Sequence, residues 1–367
     1  MIAALPAMDI AARIPRLRKH FETSHVDVLL VTRLPNVQYL TGFTGSAGML
    51  LVQPDDAILI TDGRYAQQSR EQLEAHNVNA RVEIAATSGE QRQVLSTATA
   101  GRTRLGLEAH GVTWAQQRSF AEWLPMLELV PTESSVEALR MVKEPGEVAR
   151  IRAACAIADD ALGSVLPQLH DGPTEREFAG ALEWAMRERG AVRTSFETIV
   201  AAGPNGAKPH ARPSDRAIGT GELVVIDVGC VVDGYCSDMT RTVSVGDPGA
   251  DARRVWDVVA ESQRAGRAAV RAGVGCSTVD RASRAVIEDA GWGDTFAHGT
   301  GHGVGLEIHE APRVSATADA TLEAGHVVTV EPGVYLPGVG GVRIEDTVVV
   351  TPDGAEALTE FPKSLVI

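Results

Sequence analysis

Short apolar runs alternate with amphipathic ones along the first third of the chain. VDVLLVT from Val26, GMLLVQ and AILIT on either side of the turn PDD, RVEIAA and RLGLEA predict strands; RYAQQSREQLEAH and AQQRSFAEWLPML predict helices. This is α/β alternation with antiparallel hairpin signals mixed in. The pattern changes after PTESSVEALRMVKEPGEV, where Pro145 can occupy the first turn of a long amphipathic helix through IRAACAIADDALGSVL. A boundary between Ser134 and Arg140 divides the chain into residues 1–137 and 138–367. Beyond it, TEREFAGALEWAMRERG, ARRVWDVVAESQRAGRAAV and STVDRASRAVIEDAG predict helices, and FETIVAAG, ELVVIDVGCVVDGYCSDMTRTVSV, GHVVTVEPGVYLPG and GGVRIEDTVVV predict strands. Hairpin-linked strands flanked by helices imply an α+β domain with a mostly antiparallel sheet.

Composition narrows the partners. The 367 residues are 44% hydrophobic and 22% charged, enough for a large core in two or three domains. A formal net charge of −14 repels phosphate backbones and acidic headgroups, so neither nucleic acid nor a membrane surface is an expected partner. Asp9 and Arg13 interrupt the N-terminal stretch, which fits neither a leader peptide nor a spanning helix, and the expected location is the cytoplasm. Cys155, Cys230, Cys236 and Cys276 form no CxxC pair and are read as reduced packing residues.

The chemistry sits in carboxylates embedded in apolar strands. Asp227 lies in VVIDV, and Asp238 follows beyond a turn at Asp233 and Gly234, so a hairpin would set the two side by side. Glu331 ends a second apolar strand, and Glu345 lies in a third. Taken singly, Asp227 and Asp233 read as turn or cap residues. Four converging carboxylates are another matter, because burial is costly without compensating cations, and Arg241 and Arg343 are too few. A pair of divalent cations resolves the imbalance. The stretch HGTGHGVGLEIHE sets His298, His302 and His309 among four glycines, whose lack of side chains is expected to let the backbone approach closely and to make room for substrate. His302 is the natural metal ligand of the three. Four carboxylates with one imidazole suit Mn, with Co, Zn or Fe also admissible.

FETIVAAGPNGAKPH, IDVGCVVDGYCSDMTRT, HGTGHGVGLEIHE, TVEPGVY and GVRIED occur in the order found in the metallopeptidase family with the pita-bread fold. The chain resembles that family's proline-peptidase branch, Xaa-Pro dipeptidase (prolidase) and aminopeptidase P. YLTGFTGSAGMLLV and TDGRY resemble the creatinase/prolidase N-terminal domain. The resemblance implies a creatinase-type α/β domain ahead of a pita-bread catalytic domain. It implies five ligands to two metal ions, Asp227, Asp238, His302, Glu331 and Glu345, and substrate-site roles for His210, His298, His309, Tyr335 and Arg343. It also implies a homodimer acting on short peptides with proline in second position.

Two such ions share a hydroxide, the pKa of bound water falling from about 15.7 toward about 7. Glu331 is then the expected proton acceptor and His309 an oxyanion donor, while His210, as proton donor or orienter, and His309 are the two candidates for protonating the leaving prolyl nitrogen. Arg343 and His298 are expected as cationic donors on the far side of the prolyl pocket. Arg343 has an alternative reading as a structural partner of Glu345 or Asp346, and Tyr335 as a plain strand aromatic. Arg241 and Asp346 are expected to orient ligands. Prolidase is favoured over aminopeptidase P by chain length and by the form GHGVGLEIHE, which resembles prolidases though small aminopeptidases P share it, and a non-catalytic pita-bread binding protein is the reading from another class.

Overall fold

The structure, a computed structural model, describes residues 5–367. Residues 1–4, the start of the stretch read above as neither leader nor spanning helix, lie outside it. Among the described residues no helix is long and apolar enough to cross a membrane. The chain forms two compact units, Met8–Arg140 and the remainder through Met141–Ile367.

The first unit is a six-stranded sheet in the order β4 (Arg81–Ile84), β3 (Ala57–Thr61), β2 (Met49–Val52), β1 (Val28–Val31), β5 (Arg104–Glu108), β6 (Glu128–Thr132). β1, β2 and β3 run antiparallel, whereas β4, β5 and β6 each join in parallel. The parallel joins need crossovers, and the amphipathic segments supply them. Helices α1 (Arg13–Arg18), α2 (Leu34–Thr41), α3 (Ala66–Ala75), α4 (Ser88–Ala98) and α5 (Trp114–Trp123) are spaced along this unit, followed by the short α6 (Glu137–Met141). β1 and β3 are buried along their whole length and carry the core around Leu30, Ile58 and Leu105.

The second unit begins with α7 (Pro145–Val165), where Pro145 starts the helix and Glu144 forms a capping box with Glu147. α8 (Glu175–Glu188) is capped by Thr174 and Glu177 in the same way. α9 (Ala250–Ala269) and α10 (Cys276–Asp289) approach closely at Gly266, where a Cβ would fall 2.1 Å from Ser283 Oγ. The named strand pairs of this unit are all antiparallel. β8 (Ile199–Ala202), β9 (Leu223–Val228) and β12 (Met239–Ser244) form one sheet in the order β12-β9-β8, and β7 (Arg193–Thr194), β10 (Cys230–Val232) and β11 (Tyr235–Cys236) another. β13 (Gly301–Gly303), β14 (Glu310–Val314), β15 (Val327–Val330), β18 (Asp346–Val350) and β19 (Ala355–Ala357) form the largest, and β16 (Gly333–Leu336) pairs with β17 (Gly340–Arg343).

The expected Asp227–Asp238 hairpin is broken in two. Asp233 and Gly234 have φ of 49° and 88°, the paired left-handed residues of a tight hairpin turn. In the long ladder, however, Thr240 stands opposite Asp227 and Met239 opposite Val228, and the ladder ends there. A Cβ on Gly229 would fall 2.0 Å from Ser237 O, so the chain can bend at this point only without a side chain. Asp238 therefore sits just past the ladder's end, diagonal to Asp227.

Candidate metal centre and active site

A cavity of about 560 Å³ opens in the second unit, lined by His210, Asp227, Asp238, His298, His302, His309, Glu331, Arg343 and Glu345. Of the ten candidate residues only Tyr335 is not among them, and it lies behind, bonded to two that are. Each arrives on a different element. β9 carries Asp227, the break before β12 carries Asp238, and β13 carries His302. Glu331 follows β15, and Glu345 sits between β17 and β18. One ligand atom from each of Asp238, His302 and Glu345 lies within 4.8 Å of the others.

Hydrogen-bond direction shows what these groups lack. His302 Nδ1 lies 3.0 Å from Gly303 O, and a carbonyl only accepts, so Nδ1 carries the proton. Nε2 then presents a lone pair 3.5 Å from Asp238 Oδ2 and 3.3 Å from Glu331 Oε1. Burial lowers the imidazole's pKa to about 4, which keeps it neutral. The imidazole thus offers no proton to either carboxylate, and a lone pair faces two acidic oxygens. Asp227 Oδ1 and Glu345 Oε1 are buried without a hydrogen-bond partner among the described residues. Burial and then neighbouring carboxylates push Asp238 and Glu345 well above the usual range, and burial pushes Glu331 up to about 7. Among the described residues Arg343 is the one cation in direct contact with a carboxylate of this cluster, 2.5 Å from Asp227 Oδ2. Oxygen donors with one imidazole nitrogen, orphaned lone pairs and a charge deficit together fit a divalent cation.

Behind the carboxylates runs a directed chain. Arg343 Nη1 donates to Tyr335 Oη at 2.8 Å, and Tyr335 Oη lies 2.8 Å from His298 Nε2. His298 Nδ1 is 2.8 Å from Gly299 O and donates to it. Burial pushes Tyr335 up to about 12 and His298 down to about 4, so both are neutral. Both His298 and Arg343 line the cavity, as expected, but only Arg343 does so as a cation. His298 is uncharged with both nitrogens engaged, and Arg343 is 3% exposed, its donors taken by Asp227, Tyr335, Thr240 and Pro209 O. Arg343 pairs with Asp227, not with Glu345 or Asp346 as the alternative reading had it. His309 is exposed, its ring 4.4 Å from that of His302 between centroids. His210 is also exposed on the cavity wall.

At Gly301 and Gly303 the missing side chain makes room for protein and not for substrate. A Cβ on Gly301 would fall 2.0 Å from Thr329 O, and one on Gly303 2.2 Å from Ala311 O, so that space is filled by neighbouring strands. Several contributors escaped the sequence reading. Thr240 Oγ1 accepts from Arg343 Nε and donates to Glu345 Oε2 at 2.7 Å, tying two candidates together. Asp280 accepts from Thr300, and Arg284 donates to His298 O, holding the histidine segment to α10. Their i, i+4 spacing reads only as a helix ion pair. Arg313, also on the cavity wall, forms no ion pair among the described residues.

The model described as metallopeptidase family M24 matches residues 149–352, and that described as creatinase/prolidase N-terminal domain matches residues 13–142. The chain is 34% identical to the Xaa-Pro dipeptidase of Pyrococcus furiosus, over 96% of its own length and 99% of the relative's. An Xaa-Pro dipeptidase structure from Bacillus anthracis superposes with a TM-score of 0.93 at 38% identity, covering 98% of this chain and 100% of that one. An X-Pro aminopeptidase structure from Thermotoga maritima gives 0.86 at 34% identity, over 95% and 100%.

Proposed function

The chain belongs to metallopeptidase family M24, with a creatinase/prolidase N-terminal domain, and from that premise we propose that it is an Xaa-Pro dipeptidase. The observation that carries the metal site is the lone pair of His302 facing Asp238 and Glu331 beside two orphaned carboxylate oxygens. Asp227, Asp238, His302, Glu331 and Glu345 would hold two divalent ions, manganese first among them. Bound there, such ions supply Lewis acidity and a water of lowered pKa. The division into residues 1–137 and 138–367 belongs to this reading, supported by the two compact units. So does a cytoplasmic homodimer.

The protein's own groups then divide the work. Glu331 accepts the proton that the attacking water gives up. His309, beside His302 and open to the cavity, donates to the oxyanion. His210 protonates the leaving nitrogen, which in an Xaa-Pro bond is a tertiary amide with no N–H of its own. The chain Arg343, Tyr335, His298 holds Asp227 in place from behind. Arg313, the cavity cation without an ion pair, meets the carboxylate that a dipeptide presents directly after proline. That favours dipeptides over longer substrates.

Turnover of Gly-Pro and of a longer Xaa-Pro peptide with added Mn or Co tests the proposal. Gly-Pro is expected to be the better substrate, and Arg313→Met to raise its KM by about tenfold at nearly unchanged kcat. Cleavage of the longer peptide alone would replace the dipeptidase with an aminopeptidase P, and cleavage of neither would remove the enzyme.

A further inference from the structure

His210 makes no hydrogen bond or ion pair among the described residues, so its position depends on the backbone beneath it. That backbone, residues 203–214, is secured mainly by one side chain. Glu175, in the first turn of α8, is 0% exposed and has no ion-pair partner among the described residues. Its Oε1 accepts from Ala202 N at 2.8 Å, and both oxygens lie 3.1 Å from Asn205 Nδ2. Its Oε2 accepts from Ser214 N at 3.0 Å and Ser214 Oγ at 2.6 Å. One carboxylate therefore grips the start, the first turn and the end of the loop. A buried anion without a cation in contact is unfavourable unless several donors and a helix N-terminus offset it, and the hydrogen-bond donors here come from the loop and its base on β8, with the charge of Arg216 adding to them from just beyond.

Two further contacts set the loop's distance from the metal-site strands. Gly206 O lies so near Gly341 that a Cβ there would fall 2.0 Å from it. Nearer the tip, Pro209 O accepts from Arg343 Nη1 at 3.2 Å, and Arg343 also holds Asp227. The base of the loop is tied to α8, and its tip to the arginine that touches the carboxylate cluster.

We infer that Glu175 is a positioning residue for His210, acting through the loop between Ala202 and Ser214 and touching neither substrate nor metal. The inference rests on the proposed role of His210, and its test separates the two. Glu175→Gln keeps the side chain's size but turns one acceptor oxygen into an NH2 facing donors that already point at it. Hydrogen exchange reads the loop without any substrate. Amides of residues 203–214 should exchange at least about tenfold faster in Glu175→Gln, and less so in Ser214→Ala, while β9 and β18 keep their protection.

With Gly-Pro, kcat should fall roughly tenfold to a hundredfold, with KM and calorimetric Mn binding within about twofold. In a His210→Ala background the same substitution should cost less than about twofold, because the group it positions is gone. Unchanged exchange in both variants, an equal kcat loss with and without His210, or weakened Mn binding would each overturn the inference. If the wild-type protein fails to cleave Gly-Pro while the loop still loosens, the anchoring stands and the assignment of His210 falls.

Discussion

Glu345 and Asp346 are adjacent in sequence, both essentially unexposed, and electrostatic opposites. Glu345 faces the cavity, where its Oε2 accepts from Thr240 and its Oε1 has no partner. Asp346 points the other way into a cage of donors: Arg241 at 3.0 Å, Lys363 at 2.6 Å, Gln263 at 3.0 Å, Thr359 at 3.1 Å and Arg267 at 3.6 Å. Burial raises both carboxyls, but among carboxylate neighbours Glu345 ends well above the ordinary range, whereas Arg241 and Lys363 pull Asp346 below it. Arg241 also donates to Glu345 O, so the satisfied side braces the backbone of the unsatisfied one. A buried carboxylate with its cations in place is scaffold. One without them is waiting for a ligand.

The largest expected effect comes from neutralising the unsatisfied side. Glu345→Gln should lower kcat/KM for Gly-Pro by roughly a thousandfold or more through lost metal binding. The metal-free protein should keep or gain melting temperature, because a buried carboxyl crowded by other carboxylates has been replaced by an amide that never ionises. A metal-free variant that melts well below wild type would mean that Glu345 is itself scaffold.

Asp346→Asn should behave in the opposite way. It strands Arg241 and Lys363, and chemical denaturation should show a loss of about 3–5 kcal/mol with or without metal. Mn affinity should weaken by only about ten- to a hundredfold, as expected for a group that acts on the ligand Glu345 through its backbone.

Much of this was legible in the sequence. Val and Ile runs interrupted by Asp227, Glu331 and Glu345 marked the strands and their unusual charges together, and Asp233 with Gly234 marked the turn. Alternation along RIEDTVVV even implies that Glu345 and Asp346 face opposite ways. Which carboxylate receives which arginine was not legible. Arg343 reaches Asp227 across 116 positions and Arg241 reaches Asp346 across 105, and only the folded topology selects those pairs. Glu175 was hidden for the same reason. In TERE it reads as an ordinary acidic residue in the first turn of a helix, and its partners stand 27 to 39 positions away. Gly301 and Gly303 misled in a different way, since a sequence shows that a side chain is absent but not what fills the space.

The pH dependence of stability sharpens the contrast. Glu331 has a folded pKa of about 7, raised from 4.5 chiefly by burial. A raised acid stabilises the fold only while protonated, so its contribution is full below the ordinary carboxylate value and is lost as pH rises through about 7. Metal-free wild type should therefore lose on the order of 2 kcal/mol relative to Glu331→Gln between pH 5 and pH 8 in denaturant titrations. Saturating Mn should abolish that slope, because the cation replaces the proton. A slope that persists with Mn bound would place Glu331 outside the metal's reach.

The smallest effect tests the boundary between the two regimes. Asp159, on α7 and facing Arg241, accepts from Glu360 N at 2.7 Å through Oδ2, while its Oδ1 is buried without a partner. Burial raises it from 3.8 to about 6, against the pull of Arg241. It is half compensated, and it lies outside the cavity. Its contribution to stability is present below the ordinary aspartate value and lost as pH rises through about 6. Asp159→Asn keeps the acceptor and removes the charge, so at pH 8 it should stabilise the protein by about 1 kcal/mol, with a smaller gain at pH 5 and Gly-Pro turnover unchanged. If the gain were equal at both pH values, the charge on Asp159 would not be the cause. Incomplete pairing would then not suffice to make a buried carboxylate costly in this fold, and the orphaned oxygen of Glu345 would lose its force as a sign of a missing cation.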